Sequence, residues 1–446
     1  MDIGIFVLVF AYFIKATNGL HVSFEPPFVE DLHMGSSINV SVVMTEFDFH
    51  EYKNLTTAAE PQDILQARLF EDSFTCDDVF CNGTIEVRGR FLGFGSVFLL
   101  LKNSTSWNRL SPSLPVTVLR EDKILNKIFI AFVAVVVSIN YINMGCALDI
   151  TVVKNVLKRP VGPAVGLVCQ FVVMPLVSYG VGLLLFDDPV LRLGLFTFGS
   201  SPGGGASNMW TLLLGGNLNL SIAMTFLSTL AAFGTLPLWL FTLGKTIVEG
   251  STIKIPFTNI LTSLASLAVP IGVGLLVQRY LPKLAAVSKK ILAPVSIVII
   301  ICIIILASVA NTYIFFLLSW PIIFAASLSV WSGFLAGILV SFAFRFPQED
   351  MIAVAVETGI QNTGIAFLML SYSLKPPVSD IAAVVPVAGS IITPLPLFVI
   401  YCVQKIRNCC FRSDTFELQS IHSKKEEYDS TNKGMENMAA DSDVNY

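Results

Sequence analysis

Charge is what this sequence has least of. Asp, Glu, Lys and Arg make up 13% of its 446 residues, against roughly 25% in soluble globular domains. That scarcity argues against an ordinary soluble enzyme, and 54% hydrophobic residues argue against a disordered chain. Histidine is scarcer still. The four (His21, His33, His50 and His422) all lie outside the long apolar runs, so those runs hold no His-metal centre. Neither a Ser/Lys nor an Asp/Asp constellation lies within them, which sets aside an intramembrane hydrolase. A net charge of -4 offers no basic surface for nucleic acid.

The charges that are present divide the chain. Residues 20–122 hold 15 acidic and 7 basic side chains, residues 404–446 hold 8 and 6, and the 281 residues between contain only 22 charges. The chain therefore reads as a polar head, an apolar middle and a polar tail. Ahead of the head, Ile3–Ile14 is an apolar run of 12 followed by Thr17-Asn18-Gly19. A run this short falls below the about 20 residues a spanning helix needs. It reads as a signal peptide over residues 1–19, although its start carries Asp2 and no Lys or Arg.

A cleaved leader would place residues 20–122 outside the cell. Sequons at Asn39, Asn54, Asn82 and Asn103 agree with a glycosylated extracellular domain. Partial alternation in 38–44, 85–101 and 116–119 predicts strands, with a bend at Gly93 and Gly95, and so a small β-rich sandwich. Cys76 and Cys81 are the head's only cysteines. In an oxidising compartment they are expected to pair, the alternative being two buried thiols. The tail, 406–446, has few large apolar residues and reads as disordered and cytoplasmic.

The middle, 123–405, divides into nine apolar spans near 124–148, 161–185, 191–214, 218–243, 255–278, 290–310, 314–343, 350–373 and 378–403. With the head outside, Lys154, Lys158, Arg159, Arg279, Lys283, Lys289, Lys290 and Arg345 fall on the cytoplasmic side. The opposite loops carry fewer basic residues, Arg192, Lys245, Lys254 and Lys375, with Asp187, Asp188, Glu249 and Asp380 among them. This follows the positive-inside bias. It predicts a multi-pass protein of the bilayer, at the plasma membrane, with an extracellular N-terminus and a cytoplasmic C-terminus.

Two spans are interrupted. The third contains Pro202-Gly203-Gly204-Gly205, where each Gly costs roughly 1 kcal/mol and Pro roughly 3 kcal/mol against Ala in a helix. Irregular backbone at membrane depth survives only when buried in protein or lining a wet cavity, so this span is expected to be broken; a kinked helix packing through small residues is the alternative. The eighth span runs Glu357-Thr358-Gly359-Ile360-Gln361-Asn362-Thr363-Gly364. Glu357 is a carboxylate inside an apolar span with no basic residue at the span centres to pair it. Either a bound cation satisfies it or it is a protonated, hydrogen-bonded structural residue. Ser221, Thr225 and Ser228 share one helix face in span four, and Gln170 lies mid-span two. With Ser207, Asn208 and Gln361 they form an oxygen-rich set carrying one formal negative charge, which suits Na⁺ better than Ca²⁺. Two broken helices in corresponding parts of two unequal halves predict an inverted-repeat secondary transporter.

These motifs together (the Pro-Gly-Gly segment ending in Ser207-Asn208, Gly216-Asn217, and Glu357 through Gly364) resemble the bile acid:sodium symporter family over about residues 124–405. The resemblance implies an all-α fold with a core and a panel domain, in which the two broken helices cross. It implies one sodium site from Ser207, Asn208, Ser221, Thr225 and Glu357, and a second from Gln170, Glu357, Gln361 and the carbonyls of Thr358 and Ile360. Asn362 would meet substrate beside the crossing. The expected activity is sodium-coupled symport of a small amphipathic organic anion such as a bile acid or steroid sulfate. No cofactor is expected beyond the coupling sodium ions, and a homodimer is one assembly open to it. The head of about 100 residues departs from the family's usual short N-terminus. The competing readings are a receptor or sensor on a transporter-like fold, and a proton-coupled transporter in which Glu357 titrates.

Overall fold

Nine strands come first along the chain: β1 (His21–Glu25), β2 (Val29–His33), β3 (Ser37–Thr45), β4 (Leu55–Glu60), β5 (Leu65–Cys76), β6 (Phe80–Gly89), β7 (Gly93–Lys102), β8 (Trp107–Arg109) and β9 (Leu114–Leu119). Alternation explains the best of them. In β3, Val40, Val42 and Met44 are fully buried while Asn39 and Ser41 are exposed and Val43 is half-buried, as side chains alternating on a pleated strand must be. The strands form two sheets, β1-β3-β6-β5 and β2-β9-β7-β4, with β8 added to β7. Pairing is antiparallel except where β2 runs parallel to β9. In immunoglobulin lettering this is A-B-E-D on one sheet and G-F-C on the other, the first strand being split between the two. The shared interior is apolar: Val40, Val42, Ile85, Val87, Val97, Leu99, Leu114 and Val118 are fully buried. Cys76 and Cys81 form the expected disulfide, but across the β5–β6 hairpin, not between the sheets. The expected sandwich is thus present. Of the sequons, Asn39 and Asn82 are exposed on neighbouring strands β3 and β6.

This computed structural model describes residues 21–45, 55–76, 80–102, 106–121, 124–147, 150–158, 160–251, 253, 257–287 and 312–407. The expected leader, Asn54, Asn103, the expected span at 290–310 and nearly all of the tail lie outside the described residues.

Helices follow the strands: α1 (Ile124–Ala147), α2 (Ile150–Leu157), α3 (Val161–Leu185), α4 (Pro189–Gly199), α5 (Ala206–Leu213), α6 (Leu218–Phe241), α7 (Leu243–Val248), α8 (Phe257–Tyr280), α9 (Thr312–Leu317), α10 (Trp320–Ala343), α11 (Gln348–Gly359), α12 (Thr363–Ser373) and α13 (Val378–Arg407). Among the described residues four continuous stretches are long and apolar enough to cross a membrane: Val161–Leu185, Leu218–Val248, Trp320–Ala343 and Val378–Arg407. Apolar side chains such as Leu184, Trp320 and Phe342 face outward, as expected of a protein solvated by lipid.

The third and eighth expected spans are each two half-helices. α4 gives way to irregular backbone at 200–205 before α5, and α11 gives way at 360–362 before α12. Both breaks are narrower than the sequence motifs around them, and Glu357 stands on the last helical turn of α11 instead of in the break.

The helices divide by packing. α1 packs chiefly on α8, and this pair reaches the other helices chiefly through α12 and α6. Small residues set the α1–α8 approach. A Cβ at Gly145 would lie 2.6 Å from the Ile271 carbonyl oxygen, and one at Gly274 would overlap the Ile142 carbonyl. Asp380, which reads as a loop charge in the sequence, is instead buried in the first turn of α13 and paired with Arg120 at 3.1 Å. Glu357 is therefore not the one buried carboxylate of the helical region.

Candidate functional site

The two breaks bond to each other. Asn362 N donates to the Pro202 carbonyl at 2.9 Å and Gly204 N donates to the Ile360 carbonyl at 2.8 Å, making a short antiparallel bridge between Gly203 and Gln361. Backbone groups that a broken helix would strand in an apolar medium are thereby satisfied inside the protein. The bridge also explains the glycines better than helix-breaking alone. A Cβ at Gly203 would overlap the Glu357 carboxylate, and one at Gly204 would lie 2.9 Å from the Gln361 carbonyl oxygen. Only glycine lets two backbones and a carboxylate meet this closely.

On one side of the bridge lie the side chains of α5, α6 and α11. Glu357 Oε2 accepts from Ser207 Oγ at 2.6 Å and from Thr225 Oγ1 at 2.9 Å. Asn208 Oδ1 accepts from Ser221 Oγ at 2.9 Å and lies 3.4 Å from Thr225 Oγ1. Thr211 Oγ1 donates to Ser221 Oγ at 3.2 Å. The five residues expected to form the first sodium site, Ser207, Asn208, Ser221, Thr225 and Glu357, thus gather in one network. Helix geometry puts them there: residues 207, 208 and 211 share a face of the α5 turn, and 221, 225 and 228 share a face of α6.

Glu357 has one oxygen left over. Oε1 is buried and accepts no hydrogen bond. Among the described residues Glu357 has no ion-pair partner either, the two ion pairs being Arg109–Glu60 and Arg120–Asp380. A buried carboxyl oxygen without a donor is satisfied by a bound cation or by its own proton. No group of three His, Cys, Asp or Glu side chains is found among the described residues. One carboxylate among neutral oxygens fits a hard monovalent ion, since a divalent ion usually gathers more charge.

A second network lies on the other side of the bridge. Gln170 Nε2 donates to the Ser201 carbonyl at 2.8 Å and to Gln361 Oε1 at 2.7 Å. Ser201 Oγ reaches Gln361 Oε1 at 3.4 Å, and Gln361 Nε2 donates to the Thr358 carbonyl at 2.9 Å. Gln170 Oε1 and, in the first break, Ser200 Oγ are likewise buried without a hydrogen-bond partner. Gln170, Gln361 and Thr358 are together as expected. The Ile360 carbonyl serves the bridge to Gly204, and Glu357 makes its hydrogen bonds in the first network, not to Gln170 or Gln361. Gln170 reaches the bridge from a π-helical turn, Cys169–Val173, inside α3. Such turns shift the register of one side chain and often accompany functional sites.

Asn362 caps α12, its Oδ1 accepting from Ile365 N at 3.1 Å, and its Nδ2 donates to the Tyr141 hydroxyl of α1 at 2.9 Å. It is a polar link between the α1–α8 pair and the crossing. Tyr141, Ser201 and Thr211 join the site without having been singled out in the sequence. Ser138, Asn140 and Asn143 lie close to Tyr141 in the first span, so no local signal separates it from its polar neighbours.

Comparison with known proteins bears on this geometry. A profile of the family described as "Sodium Bile acid symporter family" matches residues 134–317. The P3 protein of Homo sapiens is 34% identical over 248 residues, covering 56% of this chain and 52% of that protein. The chain thus spans about half the length of the P3 proteins it matches. The ileal sodium/bile acid cotransporter of Homo sapiens is 30% identical over 272 residues, covering 60% of this chain and 77% of that protein. The hepatic sodium/bile acid cotransporter of Rattus norvegicus is 30% identical over 262 residues, covering 58% and 70%.

Proposed function

The chain belongs to the sodium bile acid symporter family, a family of transporters and not of enzymes, and on that premise we propose that it is a sodium-coupled symporter of an amphipathic organic anion. The unpartnered, buried Oε1 of Glu357, set against Gly203 among the hydroxyls of Ser207, Ser221 and Thr225, carries this reading. Sodium held there would neutralise the one charge at the centre and draw α5, α6 and α11 together. A second sodium would use the Gln170–Gln361 network. Because both networks flank one bridge, filling them stiffens the crossing and so favours substrate bound beside Asn362 over the same substrate without the ions. Coupling of this kind is a shared preference of two ligands for one state of the protein. The relatives named as bile acid cotransporters make a steroid-like anion the first substrate to try. The reading includes residence in the plasma membrane with the strand domain (20–122) outside, the transport domain at 123–405, glycans on Asn39, Asn54, Asn82 and Asn103, and the tail inside.

The test is an uptake screen of labelled bile acids and steroid sulfates with Na⁺ or choline outside, in cells with verified surface expression. Purified protein is melted in parallel in Na⁺ and in K⁺. A ligand present at 100 times its Kd stabilises by about 2.7 kcal/mol. The expected result is a Na⁺-specific rise in melting temperature that Glu357→Gln removes, together with its Na⁺-dependent uptake. A Glu357→Gln variant that keeps both would overturn the proposed site. Uptake indifferent to Na⁺ but driven by a pH gradient would select proton coupling in its place.

A further inference from the structure

The strand domain is joined to the helices twice, and to different bodies. By the chain it is joined to α1, since only residues 121–123 separate Arg120 from the first residue of that helix. Four Cα steps span at most about 14 Å. By contact it is joined to α9 and α13. Arg120, at the end of β9, places Nε 3.1 Å from Asp380 Oδ2 in the first turn of α13, and both side chains are largely buried. Tyr313 of α9 lies 3.4 Å through its hydroxyl from Asp380 Oδ1, and its ring lies 5.5 Å from the Arg120 guanidinium carbon. His33 Nδ1 lies 3.1 Å from the Arg120 carbonyl and holds that backbone to the turn after β2. The β6–β7 turn adds the apolar half of the contact. Phe91 packs edge-on against Phe316 with centroids 6.4 Å apart, and Leu92 is buried in the same cluster as Tyr313, Ile314 and Ile381. One pole of the sandwich, made of the turn after β2, the β6–β7 turn and the end of β9, therefore forms the docking face.

α1 belongs to the α1–α8 pair, while α13 packs on α4, α10 and α12. The domain thus straddles the boundary between two helix bodies on its own side of the bundle. We propose that it is a clamp: the head-side ends of α1 and α13 separate only when Arg120 leaves Asp380. An ordinary tethered module would show a long linker and no buried charge at its foot. Here the linker is too short to absorb much displacement. Among the described residues the charge of Asp380 is paired by the head and not by another helix, so undocking exposes or strands a buried carboxylate. The clamp does not depend on which solute the helices carry, or on whether they carry one.

The experiment uses the full chain in lipid nanodiscs, with thiols outside the Cys76–Cys81 pair replaced. Spin labels are placed at Ile124, exposed at the start of α1, and at Lys375, exposed just before α13. The expected result is one narrow distance distribution that broadens in Arg120→Ala and in Asp380→Asn and narrows again in the swap Arg120→Asp with Asp380→Arg. Amide exchange in residues 90–92 should accelerate about tenfold in the single variants, the modest end expected because Arg120 is not wholly buried. Unchanged distances and exchange in both single variants would overturn the proposal. Faster exchange with an unchanged α1–α13 distance would also overturn it, because the head would then rest on the bundle without restraining it. Equal disturbance in the singles and the swap would remove the ion pair as the clasp.

Discussion

The strand domain and the helix crossing bury opposite things. In the sandwich the interior is Val40, Val42, Ile85, Val97 and Leu99, and polar groups point outward. At the crossing Gln170, Ser207, Thr225, Glu357 and Gln361 are buried while Leu184 and Trp320 face out. The inversion is what two solvents dictate. Water rewards apolar burial, so the sandwich holds its polar groups where water can meet them. Lipid offers no such reward, and polar groups survive in the bundle only by satisfying one another or a ligand. A polar interior in a water-facing domain would be a defect, whereas at the crossing it is where the proposed ions would bind.

The largest effect that tests this contrast lies in the sandwich. Leu99 is fully buried between the sheets. Leu99→Ala is expected to cost the domain about 2–5 kcal/mol through lost burial and the cavity left behind. Amide exchange across β7 should rise accordingly, while Na⁺-dependent protection of residues 200–210 should stay as in the parent chain. Loss of the sodium response in this variant would show that the two regions unfold together, and the contrast between them would fail.

A smaller and more local effect comes from two neighbouring glycines. Gly203 has no room for a methyl group, whereas a Cβ at Gly205 would meet nothing within 4 Å. Gly203→Ala is therefore expected to cost about 1–3 kcal/mol by overpacking and to displace the Glu357 carboxylate, removing the Na⁺-induced rise in melting temperature. Gly205→Ala, at the helical start of α5 (φ −58°), should be neutral in both measurements. If the two behave alike, the glycine run serves flexibility and not close approach.

The same two sites show what a sequence reveals and what it withholds. Pro202-Gly203-Gly204-Gly205 and Gly359 announce broken helices because backbone preference is local. Ser221 and Thr225 could be grouped because helical spacing puts them on one face, whereas Ser207 and Glu357, on other helices, join them in one site only through the family resemblance. β3 and β9 were legible by alternation. β4 (LTTAAE) and β5 (LQARLFEDSFTC) were not, since their register comes from partners and not from a pattern of their own. The π turn that carries Gln170 is invisible because its composition is that of any apolar helix. The bond from Asn362 to Tyr141 joins residues 221 apart, and no local rule links them. Asp380 reads as an ordinary loop charge, and only the docked fold pairs it with Arg120.

The smallest predicted effect separates two ion pairs that sequence treats alike. Arg109 and Glu60 pair on the surface of the sandwich, with side chains 54% and 51% exposed. Exposed pairs of this kind contribute roughly 0–1 kcal/mol, because water and salt screen them and ordering two long side chains costs entropy. Arg109 also keeps a second support that does not need Glu60, its guanidinium carbon lying 4.6 Å from the Phe98 ring centroid. Glu60→Gln should therefore change the unfolding free energy of the domain by less than about 1 kcal/mol, and added salt should erase most of that change. Arg120 and Asp380 are 17% and 6% exposed. Asp380→Asn removes the carboxylate that faces a partly buried guanidinium and should cost more, toward the lower end of the about 3–5 kcal/mol seen when a buried pair loses one member, with little response to salt. Denaturant unfolding of both variants at low and high ionic strength separates the cases. Equal costs with equal salt dependence would mean that water reaches the foot of the sandwich as freely as its surface, and that the docked face is not sealed.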